Sequence, residues 1–202
     1  MSRMRKKVIV ITDGDEYARR AIRHIASELG GTSLDDLAGN PTRATKEEII
    51  KGIERATSEP VFVLVDDAGV SGIGAGESIL LQIATHPSVD IIGALAVASH
   101  TKFREWSRFD FSIDLDGNLV PFGVDKEGVP ELDVDRISGD TVYALDQLTI
   151  PTIVAIGDIG KMRGRDDIKY GAPVTKRAIE LILERDEQHG AASTGNADSI
   201  QT

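Results

Sequence analysis

Val8-Ile9-Val10-Ile11-Thr12-Asp13-Gly14-Asp15 is the stretch on which the fold turns. Its first residues are apolar or β-branched without interruption, as in a strand buried on both faces of a parallel sheet. Asp13-Gly14-Asp15 ends the run, because Gly permits a turn and Asp caps a helix start. The next residues read as that helix. Ala18, Ala21, Ile22, Ile25, Ala26 and Leu29 recur at helical spacing, and Gly30-Gly31 stops it.

The same unit recurs along the chain. Val61 to Val65 predicts a second buried strand, ended by Asp66-Asp67. Ile91 to Ala98 predicts a third, and Thr152 to Ile156 a fourth, ended by Gly157-Asp158. Thr45 with Glu48 makes a capping box opening a helix that carries Ile49, Ile50, Ile53 and Ala56. A glycine-rich loop, Ala68 to Glu77, leads into a helix with Ile79, Leu80, Ile83 and Ala84. Pro173 suits the first turn of a last helix with Val174, Ala178, Ile179, Ile182 and Leu183.

Other stretches depart from this unit. Residues 32 to 44 read as a polar, turn-rich connection, 141 to 148 as a helix and 159 to 172 as a charged loop. Within residues 100 to 140, Ile113 to Val120 predicts a hairpin turning at Asp116 to Asn118, and this region is expected to form an insertion or flap. The expected architecture is one α/β domain over residues 1–187. It is a three-layer, Rossmann-like or Toprim-like sandwich with a largely parallel sheet and a small β-hairpin insertion. The polar residues 188–202 predict a disordered tail.

The net charge of −10 argues against nucleic-acid binding driven by overall charge. The absence of cysteine excludes disulfides, thiolate metal sites and cysteine nucleophiles. No apolar run approaches the roughly 18 residues of a membrane span. The run after the basic start is also too short for a signal peptide. The expectation is a soluble chain that, if it meets a membrane, does so peripherally or through a partner.

Ligands in open parallel sheets bind beyond the carboxyl ends of the strands. The sequence delivers Asp13, Asp15, Asp66, Asp67 and Asp158 there. Helix capping is the ordinary explanation for each acid alone. Their recurrence also suits a shared hard cation, Ca²⁺ or Mg²⁺, with Asp13, Asp15 and Asp66 as the first candidate ligands. Gly72, Gly74, Gly76 and Glu77 are further candidates, since bare backbone at a helix start can hold a ligand. Their spacing matches neither the dinucleotide nor the Walker fingerprint, and the neighbouring acids repel phosphate. Lys161, Arg163 and Arg165 form a basic loop suited to an anion or an acidic partner. Trp106, between Arg104 and Arg108, has the composition of a partner contact. Neither His24, His86, His100, Ser71 nor Ser78 falls into a catalytic constellation, so no catalytic residue is expected.

Asp13-Gly14-Asp15, with Ala18-Arg19-Arg20-Ala21 after it, resembles the D-x-D segment of Toprim domains, which hold Mg²⁺ for phosphoryl transfer. Those domains place a catalytic Glu at the end of an earlier strand, and here D-x-D comes after the first strand. A broader resemblance spans roughly residues 5 to 187. Val8 to Asp15 with the subsequent Ala-Arg-Arg-Ala, Val65 to Glu77, and Gly157-Asp158-Ile159-Gly160-Lys161-Met162 together resemble the soluble stage V sporulation protein AE family. The resemblance implies a non-enzymatic role in the SpoVA group, which moves dipicolinic acid with Ca²⁺ into and out of spores. It implies other SpoVA proteins as partners, dipicolinate as a possible ligand, no required cofactor, and a place in the forespore or spore, soluble or peripheral to the inner membrane.

Overall fold

The computed structural model describes residues 5–70, 73–99, 106–139 and 141–195. Gly72, Ser71, His100 and Arg104 lie outside the described residues. The first unit folds as its sequence predicts. Strand β1 (Lys6–Ile11) is followed by helix α1 (Glu16–Leu29). Asp15 caps the helix by accepting from Ala18 N at 2.9 Å, and Gly30 ends it in the left-handed conformation at φ 74°. A residue with a Cβ is strained there.

The remaining elements are β2 (Thr32–Ser33), α2 (Lys46–Arg55), β3 (Val61–Leu64), α3 (Ala75–Ala84) and β4 (Val89–Val97). Then come β5 (Trp106–Ser107), β6 (Phe111–Ile113), β7 (Leu119–Val120), β8 (Ile137–Ser138), α4 (Tyr143–Asp146), β9 (Ile153–Ile156) and α5 (Pro173–Gly195). Thr45 and Glu48 form the capping box of α2, each accepting from the other's backbone N–H. No described helix is long and apolar enough to cross a membrane.

The main sheet runs β2-β3-β1-β4-β9-β6-β7, and every neighbouring pair is parallel except β6 with β7. Alternation along the central strands sorts side chains into two layers. Val8, Val10, Val61, Val63, Ala94 and Ala96 pack toward α2, α3 and α4. Ile9, Ile11, Phe62, Leu64, Leu95 and Ile156 pack toward α1 and α5. Each fully buried aliphatic side chain of this kind stabilises the fold by roughly 1.5–3 kcal/mol.

The structure differs from expectation in several places. Residues 32–33 form an edge strand, with Thr32 opposite Val61; two half-buried polar residues carry no apolar pattern that would announce it. The predicted hairpin is β6–β7, and its turn is held by Asp114 Oδ1, which accepts from Asp116 N and Asn118 N at 2.9 Å each. It is not a flap: β6 lies parallel to β9 and extends the main sheet. Trp106–Ser107 and Ile137–Ser138 pair as a separate antiparallel ribbon. The helix expected over 141–148 is reduced to the single turn of α4. The charged loop contains two short 3-10 turns, Met162–Gly164 and Ile168–Tyr170. Helix α5 continues through Gly195, past the Gln188 at which composition predicts disorder, because Gln188, Ala191 and Ala192 are compatible with helix.

Candidate functional site

Strand β1 sends its connection through α1 toward β2, whereas the chain leaving β4 goes the other way, toward β9. The two neighbours therefore part at their carboxyl ends and leave a crevice, the usual ligand position in open α/β sheets. Thr12 spans the parting: its hydroxyl donates to Leu95 O at 3.3 Å and accepts from Val97 N at 2.9 Å. The crevice opens into a cleft of about 230 Å³ whose lining includes Asp13, Asp15, Asp66, Asp158, Asn40 and Lys126. These four acids outnumber Lys126 and the Lys161 ammonium that reaches Asp15 and Asp158, so the cleft favours cations.

Asp13 stands deepest of the three acids that converge, at 8% exposure. Its Oδ1 accepts from Asp15 N at 3.1 Å, while its Oδ2 is buried without a hydrogen-bond partner among the described residues. Burial, and then the charges of Asp15, Asp158 and Asp66, push its carboxyl well above the ordinary value, against the pull of the Asp15 N–H. Asp13, Asp15 and Asp158 each bring a carboxylate oxygen into a group whose members lie within 4.8 Å of one another.

Lys161 enters this group as a cation. Its Nζ donates to Asp15 Oδ2 at 2.6 Å and to Asp158 Oδ2 at 3.0 Å, and it lies 5.0 Å from the centre of the Tyr17 ring. Burial works against the ammonium, but the two carboxylates outweigh it and raise its pKa. Asp158 is nonetheless raised, because burial and the charge of Asp15 outweigh its share of Lys161. One lysine divided between two acids does not fully neutralise either.

The backbone around Lys161 is unusual. Met162 and Arg163 have φ of 40° and 54°, between Gly160 and Gly164, which also have positive φ. Met162 is buried and anchors the turn. A Cβ on Gly157 would lie 2.6 Å from Gly128 N and 2.9 Å from Met162 Cγ, so glycine at this strand end is what lets the turn pack. The same holds for Gly14, where a Cβ would meet Gly39 O at 2.4 Å.

The other predicted acids have different work. Both oxygens of Asp66 accept backbone N–H groups, Oδ2 from Gly14 at 2.9 Å and Oδ1 from Ala68 at 2.7 Å. It fixes the loops after β1 and β3, and Asp158 takes the place beside Asp13 and Asp15 that was expected for Asp66. Asp67 is fully buried and caps α3 from within the protein. Its Oδ1 accepts from Gly76 N at 2.6 Å and its Oδ2 from Glu77 N at 3.2 Å. The helix start expected to face an external ligand is therefore filled by the chain's own carboxylate. Gly74 and Gly76 let the loop pack this closely, since a Cβ would lie 2.2 Å from Asp67 Oδ1 and 2.6 Å from Asp66 N respectively. Glu77 is fully buried, and its Oε1 accepts from Ala144 N at 2.8 Å. Neither Asp67, Gly74, Gly76 nor Glu77 lines the cleft.

The basic loop divides. Lys161 turns inward, Arg163 reaches Glu127 at 3.7 Å, and Arg165 reaches Asp116 at 3.5 Å. Trp106 is half-buried and pairs with Ser138 in the β5–β8 ribbon.

Two contributions carry no local sequence signal. Lys126, from the segment between β4 and β9, lines the cleft, and its carbonyl accepts from Asp158 N at 2.8 Å. Asp166 is fully buried and accepts from Val174 N, Thr175 N, Gly160 N and Thr175 Oγ1, joining the Lys161 turn to the start of α5.

Fold and cleft together define an α/β protein with an acidic crevice at the switch point of a parallel sheet. The chain belongs to the SpoVAE family: the family model described as stage V sporulation protein AE1 matches residues 7–186. That span holds every acid of the cleft. Membership supports a sporulation-related role associated with the SpoVA proteins. No curated protein and no solved structure matches the chain.

Proposed function

We propose that the protein is a non-enzymatic accessory component of the SpoVA system, serving the movement of dipicolinate and Ca²⁺ in spores through contact with other SpoVA proteins at the membrane periphery. The observation that carries this reading is the family match over residues 7–186, which takes in the α/β sandwich and its cleft as one unit. The cleft supports binding over catalysis. Among the described residues that line it there is no glutamate to stand for the catalytic Glu of a Toprim site. The test is co-purification of the full chain with each of the other SpoVA proteins. Retention by at least one of them is expected, and retention by none overturns the reading.

A second reading rests on the acidity of the cleft: the protein itself binds the Ca²⁺–dipicolinate chelate, with carboxylates on the metal and Lys126 near the ligand's carboxylates. Calorimetry with the preformed chelate tests it. Absence of both heat and thermal shift at millimolar chelate removes it.

A further inference from the structure

We propose that Asp13, Asp15 and Asp158 form a binding site for a hard divalent cation, and that Lys161 is an internal counter-ion which the incoming metal displaces. The site stands independently of whether the protein contacts SpoVA partners.

Asp13 is 8% exposed and lines the cleft, and its Oδ2 is buried without a hydrogen-bond partner among the described residues. Leaving a buried carboxylate oxygen without a donor is costly, and proteins rarely keep one without a use. Asp66, on the same cleft, has both oxygens on backbone N–H groups. Asp13 is thus left short of a partner in the group it forms with Asp15 and Asp158.

Those two acids already converge on a positive charge. Asp15 Oδ2 and Asp158 Oδ2 both accept from Lys161 Nζ, at 2.6 and 3.0 Å. A divalent ion taking that position brings twice the charge of the ammonium. It also adds Asp13 as a third ligand, which Lys161 does not reach with any hydrogen bond among those described. Ligand oxygens that all lie within 4.8 Å of one another suit Ca²⁺, whose bonds to oxygen are about 2.3–2.6 Å. Mg²⁺ demands a near-ideal octahedral shell, whereas Ca²⁺ accepts an irregular one such as a fixed set of three carboxylates and water. Asn40 lines the same cleft and can add a neutral oxygen, with water completing the shell.

Displacement asks little of the fold. The turn that carries Lys161 is anchored by buried Met162, and the lysine side chain is 35% exposed, so its ammonium can rotate toward solvent while the backbone stays in place. Asp15 continues to cap α1 through its other oxygen.

The experiment titrates CaCl₂, and separately MgCl₂, into the full chain, with no dipicolinate present, and reads the melting temperature and calorimetric heat. Ca²⁺ is expected to raise the melting temperature by roughly 5 °C at about a hundredfold excess over Kd, with Mg²⁺ weaker. Lys161→Met, which removes the competing cation, is expected to bind Ca²⁺ about tenfold more tightly, the order of one lost charge contact. Asp13→Asn is expected to abolish the shift, while Asp36→Asn, at an acid whose side chain is 92% exposed, leaves it unchanged. Circular dichroism verifies that each variant is folded. Binding of neither ion to wild type or to Lys161→Met overturns the proposal. So does a shift that persists undiminished in Asp13→Asn, since it places the ion elsewhere. Because dipicolinate and SpoVA partners are absent, failure here leaves the accessory role standing, and failed co-purification leaves the site standing.

Discussion

Lys161 Nζ lies 2.6 Å from Asp15 Oδ2, a contact between residues 146 positions apart. It joins the carboxyl ends of β1 and β9 across the end of β4, which lies between them in the sheet. The same ammonium reaches Asp158. The cleft is therefore closed on one side by a salt bridge.

Removing that bridge should weaken the fold. In Lys161→Met, Asp15 and Asp158 face each other without their cation. Partial exposure limits the effect, and a loss of about 1–2 kcal/mol is expected. Urea denaturation in metal-free buffer measures it. A midpoint equal to wild type would mean the bridge is a solvated contact with no stabilising role.

Asp13→Asn should do the reverse. The Asp13 carboxyl is raised by burial and by its acidic neighbours, so the folded state favours its protonated form. Its contribution to stability therefore falls as pH rises from the unfolded value near 3.8 through the higher folded one. Replacing it with neutral Asn should stabilise the metal-free protein at neutral pH by on the order of 1–3 kcal/mol. The advantage should vanish near pH 3, where both proteins carry a neutral side chain. Melting temperatures across that range provide the measurement, and a variant less stable than wild type at pH 7 contradicts it.

Asp146 should behave oppositely to Asp13. Burial opposes its charge, but the Arg108 N–H, the Arg136 guanidinium and the Ser107 hydroxyl together hold its carboxyl below the ordinary value of 3.8. A depressed folded pKa gives stability that is present above the unfolded value and lost as pH falls through the folded one. Asp146→Asn should therefore cost about 1–2 kcal/mol at neutral pH and less at an acid pH below the folded value. Hydrogen exchange should localise the loss to β5, β8 and α4, which this carboxylate links. An equal loss at both pH values would assign it to packing.

Asp166→Ala should be more damaging than either. It leaves the N–H groups of Gly160, Val174 and Thr175 without their acceptor, at a cost of about 2–4 kcal/mol. The start of α5 and the Lys161 turn should exchange amide hydrogens faster together, since one carboxylate holds both. Faster exchange in only one of them would separate the two elements.

The layers of the fold were legible because Val8 to Ile11, Val61 to Leu64 and Ile153 to Ile156 are unbroken apolar runs, and α1 and α2 carry readable caps. Strand β2 and the β5–β8 ribbon were not, because two-residue strands are made by backbone pairing and leave no side-chain period. Asp13, Asp15 and Asp158 stand at strand ends, where position in the sequence announces them. The exchange of Asp66 for Asp158 was hidden, because it depends on how the loops after β3 and β9 fold, which no spacing tells. Lys161 resembled its neighbours Arg163 and Arg165 in composition. Only the left-handed turn at Met162 and Arg163 directs it inward while they face outward.

The position of β9 between β4 and β6 has a consequence for how the chain is made. Synthesis delivers β6 and its hairpin before β9, yet β6 has no place in the sheet until β9 has paired with β4. Strands β2, β3, β1 and β4 can assemble as soon as residue 97 has left the ribosome. Until Ile153–Ile156 is available, the β6 edge of the hairpin has no partner strand in the sheet. The sheet is therefore complete only when β9 is present, and so is the acidic cleft, which needs Asp158.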